Sequence, residues 1–308
     1  MSNVATAPDS HELLGVSAYH VTLAILTRNR PDCLETALQA AMGGIDRPDD
    51  VLVSDDSDDS FRTGNRQLVA RFQGVRYTEG PRRGLGANEN HIVANVSAET
   101  DWVAFIGDDA RLSETYVQQL RRLLGHYGPQ RRIPTGVEIR NGVLVRPNRL
   151  DFLGFQSRPY SNYTPGSCVE TVVVQATAFP HEVLRQVSWL EVSPYGYDEV
   201  DMAKKACRLG WSFVFEPSLC VYHDQSATGR ERYPTSAQIA RLYFRLRSYS
   251  VYGFRPAKLA TYMVVAPLHL VAAHIRHRNW RQLVQVPKVT LTAYASWLRS
   301  LPGDWRRF

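Results

Sequence analysis

The chain has 308 residues, of which 44% are hydrophobic and 21% charged, with a formal net charge of +6. That balance is globular and excludes wholesale disorder, and the length admits one large α/β domain with appendages or two domains. Cys33, Cys168, Cys207 and Cys220 are scattered without a Cys-x-x-Cys pair, which excludes a disulfide scaffold or zinc module and points to a reducing compartment.

Met1 to Ser10 has no basic region followed by an apolar stretch, so a loose tail over 1–18 is expected rather than a secretory signal. Val21 to Leu26 is an apolar run of strand length. Thr27-Arg28-Asn29-Arg30-Pro31 follows it, and Leu34, Ala37, Leu38 and Ala41 then recur at helical spacing until Gly43-Gly44; Pro31 suits the first turn of that helix. Asp50 to Ser54 reads as a second strand running into Asp55-Asp56-Ser57-Asp58-Asp59. A short helix around Leu68, Val69 and Phe72, a strand over Val75 to Thr78 and a helix opened by Gly84-Leu85-Gly86 come next.

Trp102 to Ile106 is a continuous aromatic and β-branched run that ends in Gly107-Asp108-Asp109. Such a run reads as a strand buried on both faces, and the two acids at its exit repel each other unless a cation sits between them. Val117, Leu120, Leu123 and Leu124 mark a fourth helix. Strand–helix alternation of this kind predicts an α/β fold, a mostly parallel sheet with helices on both faces. Ligands of such sheets bind outside the carboxyl ends of the strands, so Asp55-Asp56 and Asp108-Asp109 are expected to share one rim. A phosphate ligand on an acidic rim requires a divalent cation between the charges.

Beyond Arg131, Asn141-Gly142 signals a hairpin within Glu138 to Val145, and Val169 to Val174 reads as a strand. His181 to Val187 reads as a short helix. Tyr197-Asp198-Glu199-Val200-Asp201 leads into a helix that stops at Gly210, and Trp211 to Phe215 and Leu219 to Tyr222 read as two strands, the second ending in His223.

Four segments together resemble the family 2 glycosyltransferases, over roughly Val21 to Asp224. Leu26-Thr27-Arg28-Asn29-Arg30-Pro31 resembles the family's Pro-Thr-Tyr-Asn-Arg. Val53-Ser54-Asp55-Asp56-Ser57 resembles Val-Asp-Asp-Gly-Ser, and Gly107-Asp108-Asp109 stands at the Asp-x-Asp signature. Tyr197-Asp198-Glu199-Val200-Asp201, with Gly210-Trp211 and His223, resembles the Glu-Asp helix and the histidine beyond it.

The resemblance implies a GT-A fold over 19–230, with a nucleotide-sugar half (19–130) and an acceptor half (131–230), followed by a basic helical extension over 231–308. It implies inverting transfer of a hexosyl or deoxyhexosyl group from a nucleoside-diphosphate sugar to a glycan, polysaccharide or lipid-linked acceptor, with Mn or Mg as cofactor. Donor contacts fall to Thr27, Arg28, Asn29, Asp55, Asp56, Arg83, Asn90 and Asp108, with Asp56 at the nucleobase and Asp108 in the ribose region. Metal contacts fall to Asp109, Asp108 and His223. Glu199 aligns with the base, and Asp198 and Asp201 are its competitors. The chemistry is an in-line displacement at the anomeric carbon, which needs a base, charge neutralisation and positioning.

Several positions depart from the family pattern. Arg28 replaces the aromatic, Ser57 replaces Gly, and Glu89 stands where the family often has Arg.

From Arg232 to Phe308 thirteen Lys or Arg face one acid, Asp304, a net +12, whereas residues 1–231 carry 23 basic and 29 acidic residues, a net −6. Arg241, Arg245 and Arg247 interleave with Leu242, Tyr243, Phe244 and Leu246 on an expected helix, and Leu259 to Ile275 is mostly apolar. Basic and aromatic residues without acids fit adsorption to anionic lipid. The expectation is a cytoplasmic protein, peripheral on the inner face of the membrane, with Leu259 to Ile275 packed or interfacial. No recognition motif supports nucleic-acid binding. A nucleotide-sugar pyrophosphorylase shares the alternating pattern but would need a Gly-rich loop after the first strand. Gly84-Leu85-Gly86-Ala87-Asn88-Glu89 fails the last glycine of a dinucleotide fingerprint, and a non-catalytic binding protein is a further alternative.

Overall fold

The computed structural model describes residues 19–193, 195–225 and 235–307; the expected tail over 1–18 and the boundary near 231 lie outside them. The first half alternates as the periodicity predicts: β1 (Val21–Thr27), α1 (Pro31–Gly43), β2 (Asp50–Asp55), α2 (Asp59–Val69), β3 (Val75–Glu79), α3 (Leu85–Asn95) and β4 (Trp102–Gly107). Short β5 (Ala110–Leu112) and α4 (Tyr116–Tyr127) follow. The second half contains β6 (Arg132–Arg140), β7 (Val143–Val145), β8 (Cys168–Val169), β9 (Ala178–Pro180), α5 (His181–Leu184), α6 (Asp198–Arg208) and β10 (Ser212–His223). The extension forms α7 (Ser236–Ser250), α8 (Pro256–Arg276), α9 (Trp280–Leu283) and α10 (Val286–Arg307).

The main sheet has the order β3-β2-β1-β4-β9. Its first four strands are parallel and β9 is antiparallel to β4. All seven residues of β1 are buried, as expected for a parallel strand covered on both faces. The order reverses between β1 and β4, so their carboxyl ends open the crevice in which such sheets bind ligands. Pairing of Thr27 with Asp55 and of Leu26 with Gly107 brings the three strand ends level. Leu34, Ala37, Leu38 and Ala41 form the buried face of α1, as their spacing predicts.

A second sheet, β5-β10-β6-β7, stands beside the first. Asn141 and Gly142 take φ values of 47° and 81° between β6 and β7, the left-handed pair a two-residue hairpin requires. Two expectations change here. Ser212–His223 is one strand where two were expected; the register shifts between Phe215 and Cys220, where Pro217 has no N–H to offer the ladder. Val169 to Val174 is not a strand beyond Val169. Val172 and Val173 are buried, the Val173 N–H donates to Thr135 Oγ1 at 3.0 Å, and a 3₁₀ turn covers Val174–Ala176. An apolar run this short is equally a buried loop, and here side-chain hydroxyls satisfy the backbone.

Candidate active site

A cavity of about 620 Å³ opens at the carboxyl ends of β1, β2 and β4, a size that suits a ligand of a few tens of atoms. Its wall includes Thr27, Arg28, Arg30, Asp56, Glu89, Asp109, Glu138, Asp198, Glu199 and His223. The shared rim predicted for the two acidic pairs is therefore present, but only one acid of each pair lines it.

At the β4 exit the required cation is Arg30. Its guanidinium lies 2.5 Å from Asp108 Oδ1 and 2.8 Å from Asp109 Oδ2. Asp108 also accepts from Thr27 Oγ1 at 2.7 Å and from the Arg28 N–H at 3.3 Å. It is 1% exposed and, unlike Asp109, does not line the cavity. Burial pushes its pKa up to about 6 against the pull of Arg30. Asp109 faces the cavity. Burial raises its pKa, but the adjacent His223 and Arg30 outweigh that and hold it well below the usual carboxylate range.

His223 reaches Asp109 because β5 pairs antiparallel with β10 and sets His223 opposite Ala110. His223 Nε2 is buried and lies 3.2 Å from Asp109 Oδ1. His223 Nδ1 donates to Glu138 Oε1 at 2.7 Å, and Arg140 Nε donates to the same carboxylate at 2.6 Å. Burial lowers the pKa of His223, but the two carboxylates overcome it and raise it to about 9. Among the described residues no group of three or more His, Cys, Asp and Glu side chains could hold a metal by itself. A buried imidazole that meets one carboxylate through Nε2 and a second through Nδ1 is oriented as a metal-ligating histidine is, and a cation bound beside Asp109 would replace the Nε2 proton. Asp109 and His223 fit a two-residue share of a cation site.

On the opposite wall Tyr197 takes a left-handed φ of 61° before α6, which starts the helix at Asp198. Glu199 is half-buried, and Gln156 Nε2 donates to its Oε1 at 2.9 Å. Burial and the neighbouring Asp198 push the Glu199 pKa up to about 8. Glu89 and Asp198 are buried on the same wall, and burial raises both pKa values, with the nearby Asp198 and Glu199 charges adding to the shift of Glu89. On the β2 side Asp56 accepts the Arg82 N–H at 2.8 Å, and burial raises its pKa. Gly80 makes room for this carboxylate, since a Cβ there would stand 2.3 Å from Asp56 Oδ1.

The remaining sequence-predicted residues hold the walls in place from outside the cavity. Asp55 is fully buried and accepts from Ser57 N, Asn65 Nδ2 and Tyr77 OH at 2.8, 3.0 and 2.8 Å. Asn29 takes a left-handed φ of 57° and ties the β1 loop to Ser57 and Asp58. Asn90 receives the Trp189 N–H at 2.7 Å and donates to Glu191, and Arg83 pairs with Glu191 at 3.5 Å. Asp201 is fully buried between Lys205 (2.7 Å), Arg247 (3.5 Å) and Tyr252 OH (2.6 Å), away from the cavity. Arg30, Glu138 and Gln156 were given no role by sequence reasoning. Glu138 carried one usable signal, a carboxylate inside an apolar strand, which demands a partner.

Residues 22–170 match the family model described as Glycosyl transferase family 2. The fold is similar to that of GalNAc-T7 with UDP, GalNAc and Mn2+ (12% identity, TM-score 0.59, 76% of this chain and 48% of that one). It is also similar to S. aureus TarS (11%, 0.55, 82% and 43%) and to the mannosyltransferase PcManGT from Pyrobaculum calidifontis in complex with GDP-Man and Mn2+ (14%, 0.55, 91% and 87%). The chain spans about half the length of the first two structures. No curated protein sequence matches it. The architecture is thus the GT-A fold, a mostly parallel α/β sheet with a helical C-terminal extension. The family 2 glycosyltransferase match covers just under half of the chain and coincides with the strands that build this cavity.

Proposed function

We propose that this chain transfers a hexosyl or deoxyhexosyl group, with inversion, from a nucleoside-diphosphate sugar to a hydroxyl of a glycan, polysaccharide or lipid-linked acceptor. One observation carries this reading. A carboxylate that can serve as a base, Glu199, and the Asp109–His223 pair line one cavity. The neighbours that hold UDP or GDP-mannose together with Mn2+ support a nucleoside diphosphate donor and a divalent cation, Mn or Mg.

In this reading Glu199 takes the acceptor hydroxyl proton, the oxygen bonds to the anomeric carbon, and the bond from that carbon to the diphosphate oxygen breaks. Asp56 receives the nucleobase, and Thr27 and Arg28 line the path of the nucleoside. Asp198, beside Glu89, holds the floor beneath the sugar. Asp109 and His223 would hold the cation, which when bound neutralises charge on the departing diphosphate. Glu138 keeps His223 in the tautomer and orientation that aim Nε2 at the cavity. Assembly of cell-envelope polysaccharide on the cytoplasmic face of a membrane fits such an acceptor.

The test is release of nucleoside diphosphate from a panel of nucleotide sugars, with and without Mn2+. Metal-dependent turnover of one sugar nucleotide, lost in Asp109→Asn, is the expected result. Absence of turnover and of binding across the whole panel would refute the reading.

A further inference from the structure

The positive charge of the extension is not distributed as its sequence suggests. Arg241, Arg245 and Arg247 of α7 are all buried. Arg241 stacks over Phe155 at 3.8 Å, Arg245 caps the carbonyls of Asp151 and Phe152, and Arg247 reaches Asp201. Among the described residues the exposed charge is instead carried by Arg255, Lys258, Arg276, Arg278 and Arg281, at the ends of α8 and between it and α10, and by Lys288 and Arg299 of α10. No acid occurs between residues 235 and 303.

Between Lys258 and Arg276, α8 contains no Asp, Glu, Lys or Arg, and it is long and apolar enough to cross a membrane. One face packs inward through Tyr262, Ala266, Leu270 and His274. The outward face, recurring every three or four residues, is Thr261, Val264, Leu268, Ala272 and Ile275. Val264, Leu268 and Ile275 are 63%, 62% and 49% exposed. A soluble surface helix normally turns charge outward at these positions. The adjacent α10 repeats the pattern, with Leu291 and Leu298 exposed while Val289, Ala293 and Trp297 are buried.

The seat of α8 on α10 is built in. Pro267 has no N–H for the Met263 carbonyl one turn earlier, and Tyr294 OH from α10 donates to that carbonyl instead. A transmembrane α8 would have to abandon this bond and expose Tyr262.

We propose that the outward apolar surface of α8 and α10 docks on an anionic lipid bilayer, with α8 lying in the plane of the interface. The stripe supplies apolar burial and the basic side chains at both its ends meet lipid phosphates. A second copy of this chain would bring an equally basic rim, so like charges oppose that occupant. The inference does not rest on the donor chemistry.

Flotation of the full chain with phosphatidylglycerol vesicles and with phosphatidylcholine vesicles tests it, at low and high salt. Binding to the anionic vesicles alone is expected, weakening at high salt because the rim charges are screened over about 10 Å at 0.1 M. Val264→Asp with Leu268→Asp should weaken it about tenfold or more, with an unchanged melting temperature and unchanged nucleoside diphosphate release. A wild-type chain that ignores phosphatidylglycerol at low salt overturns the proposal. So does undiminished binding by the folded double variant. A salt-resistant wild-type dimer that the double variant converts to monomers, without lipid binding, would assign the face to a second copy.

Discussion

A strand that ends in two adjacent carboxylates needs a positive charge beside both, and Arg30 provides it from the opposite side of the crevice. Because Arg30 satisfies Asp108 together with Thr27, Asp109 alone turns to the cavity. On the other wall the decisive quantity is the proton on Glu199. Burial and Asp198 favour the neutral carboxyl, which cannot accept a proton, and the raised pKa of about 8 sets the pH above which the base form prevails. The turnover rate under saturating substrates is therefore expected to rise about tenfold per pH unit below that value and to level off above it. Glu199→Gln should lose a factor of roughly 10²–10⁴ and the pH limb with it, while nucleotide binding persists. A Gln variant with near-normal, still pH-dependent turnover would assign the base elsewhere. The Asp-Asp pair was legible in the sequence because its neighbours are a strand. The division of labour within it was not, since it depends on a guanidinium 78 residues away along the chain.

At the level of elements, α6 explains why three acids close in sequence separate in space. Successive residues turn by about 100° around a helix, so Asp201 lies on the face opposite Glu199. It belongs to the joint between α6 and α7, where Lys205, Arg247 and Tyr252 surround it. Burial raises its pKa, but these cations more than reverse that. Asp201→Asn leaves two buried cations without their carboxylate, a loss of about 3–5 kcal/mol. Urea unfolding should show a lowered midpoint, with turnover retained at a temperature where the variant is folded. A midpoint equal to that of the wild type would mean that the joint is worth nothing. Helical spacing was readable here in principle, yet the resemblance of the segment to a catalytic motif drew all three acids to the cavity. The strands went astray for a different reason. Alternation and apolar runs report burial, and Val172–Val173 are buried in a loop while β10 passes through Pro217 without ending.

For the molecule as a whole, the alternating first half was legible almost strand by strand, because parallel strands and their helices rely on local periodicity. The relation between body and extension was not, because it depends on which arginines face inward. Arg241 and Arg245 hold Phe155, Phe152 and Asp151 of the body, Leu190 joins the apolar cluster of the extension, and Leu150 and Val200 pack on Phe244. A chain that ends at residue 234 would therefore uncover three buried apolar side chains, at about 1.5–3 kcal/mol each. It would also strip Asp201 of Arg247 and Tyr252. Losses of that size are comparable to the roughly 5–15 kcal/mol that stabilises a domain. The shortened chain is expected to be insoluble or to melt without a cooperative transition in circular dichroism, even though every cavity-wall residue named above lies within it. A soluble, cooperatively melting fragment that still binds nucleotide would show instead that the helices serve only the surface they present.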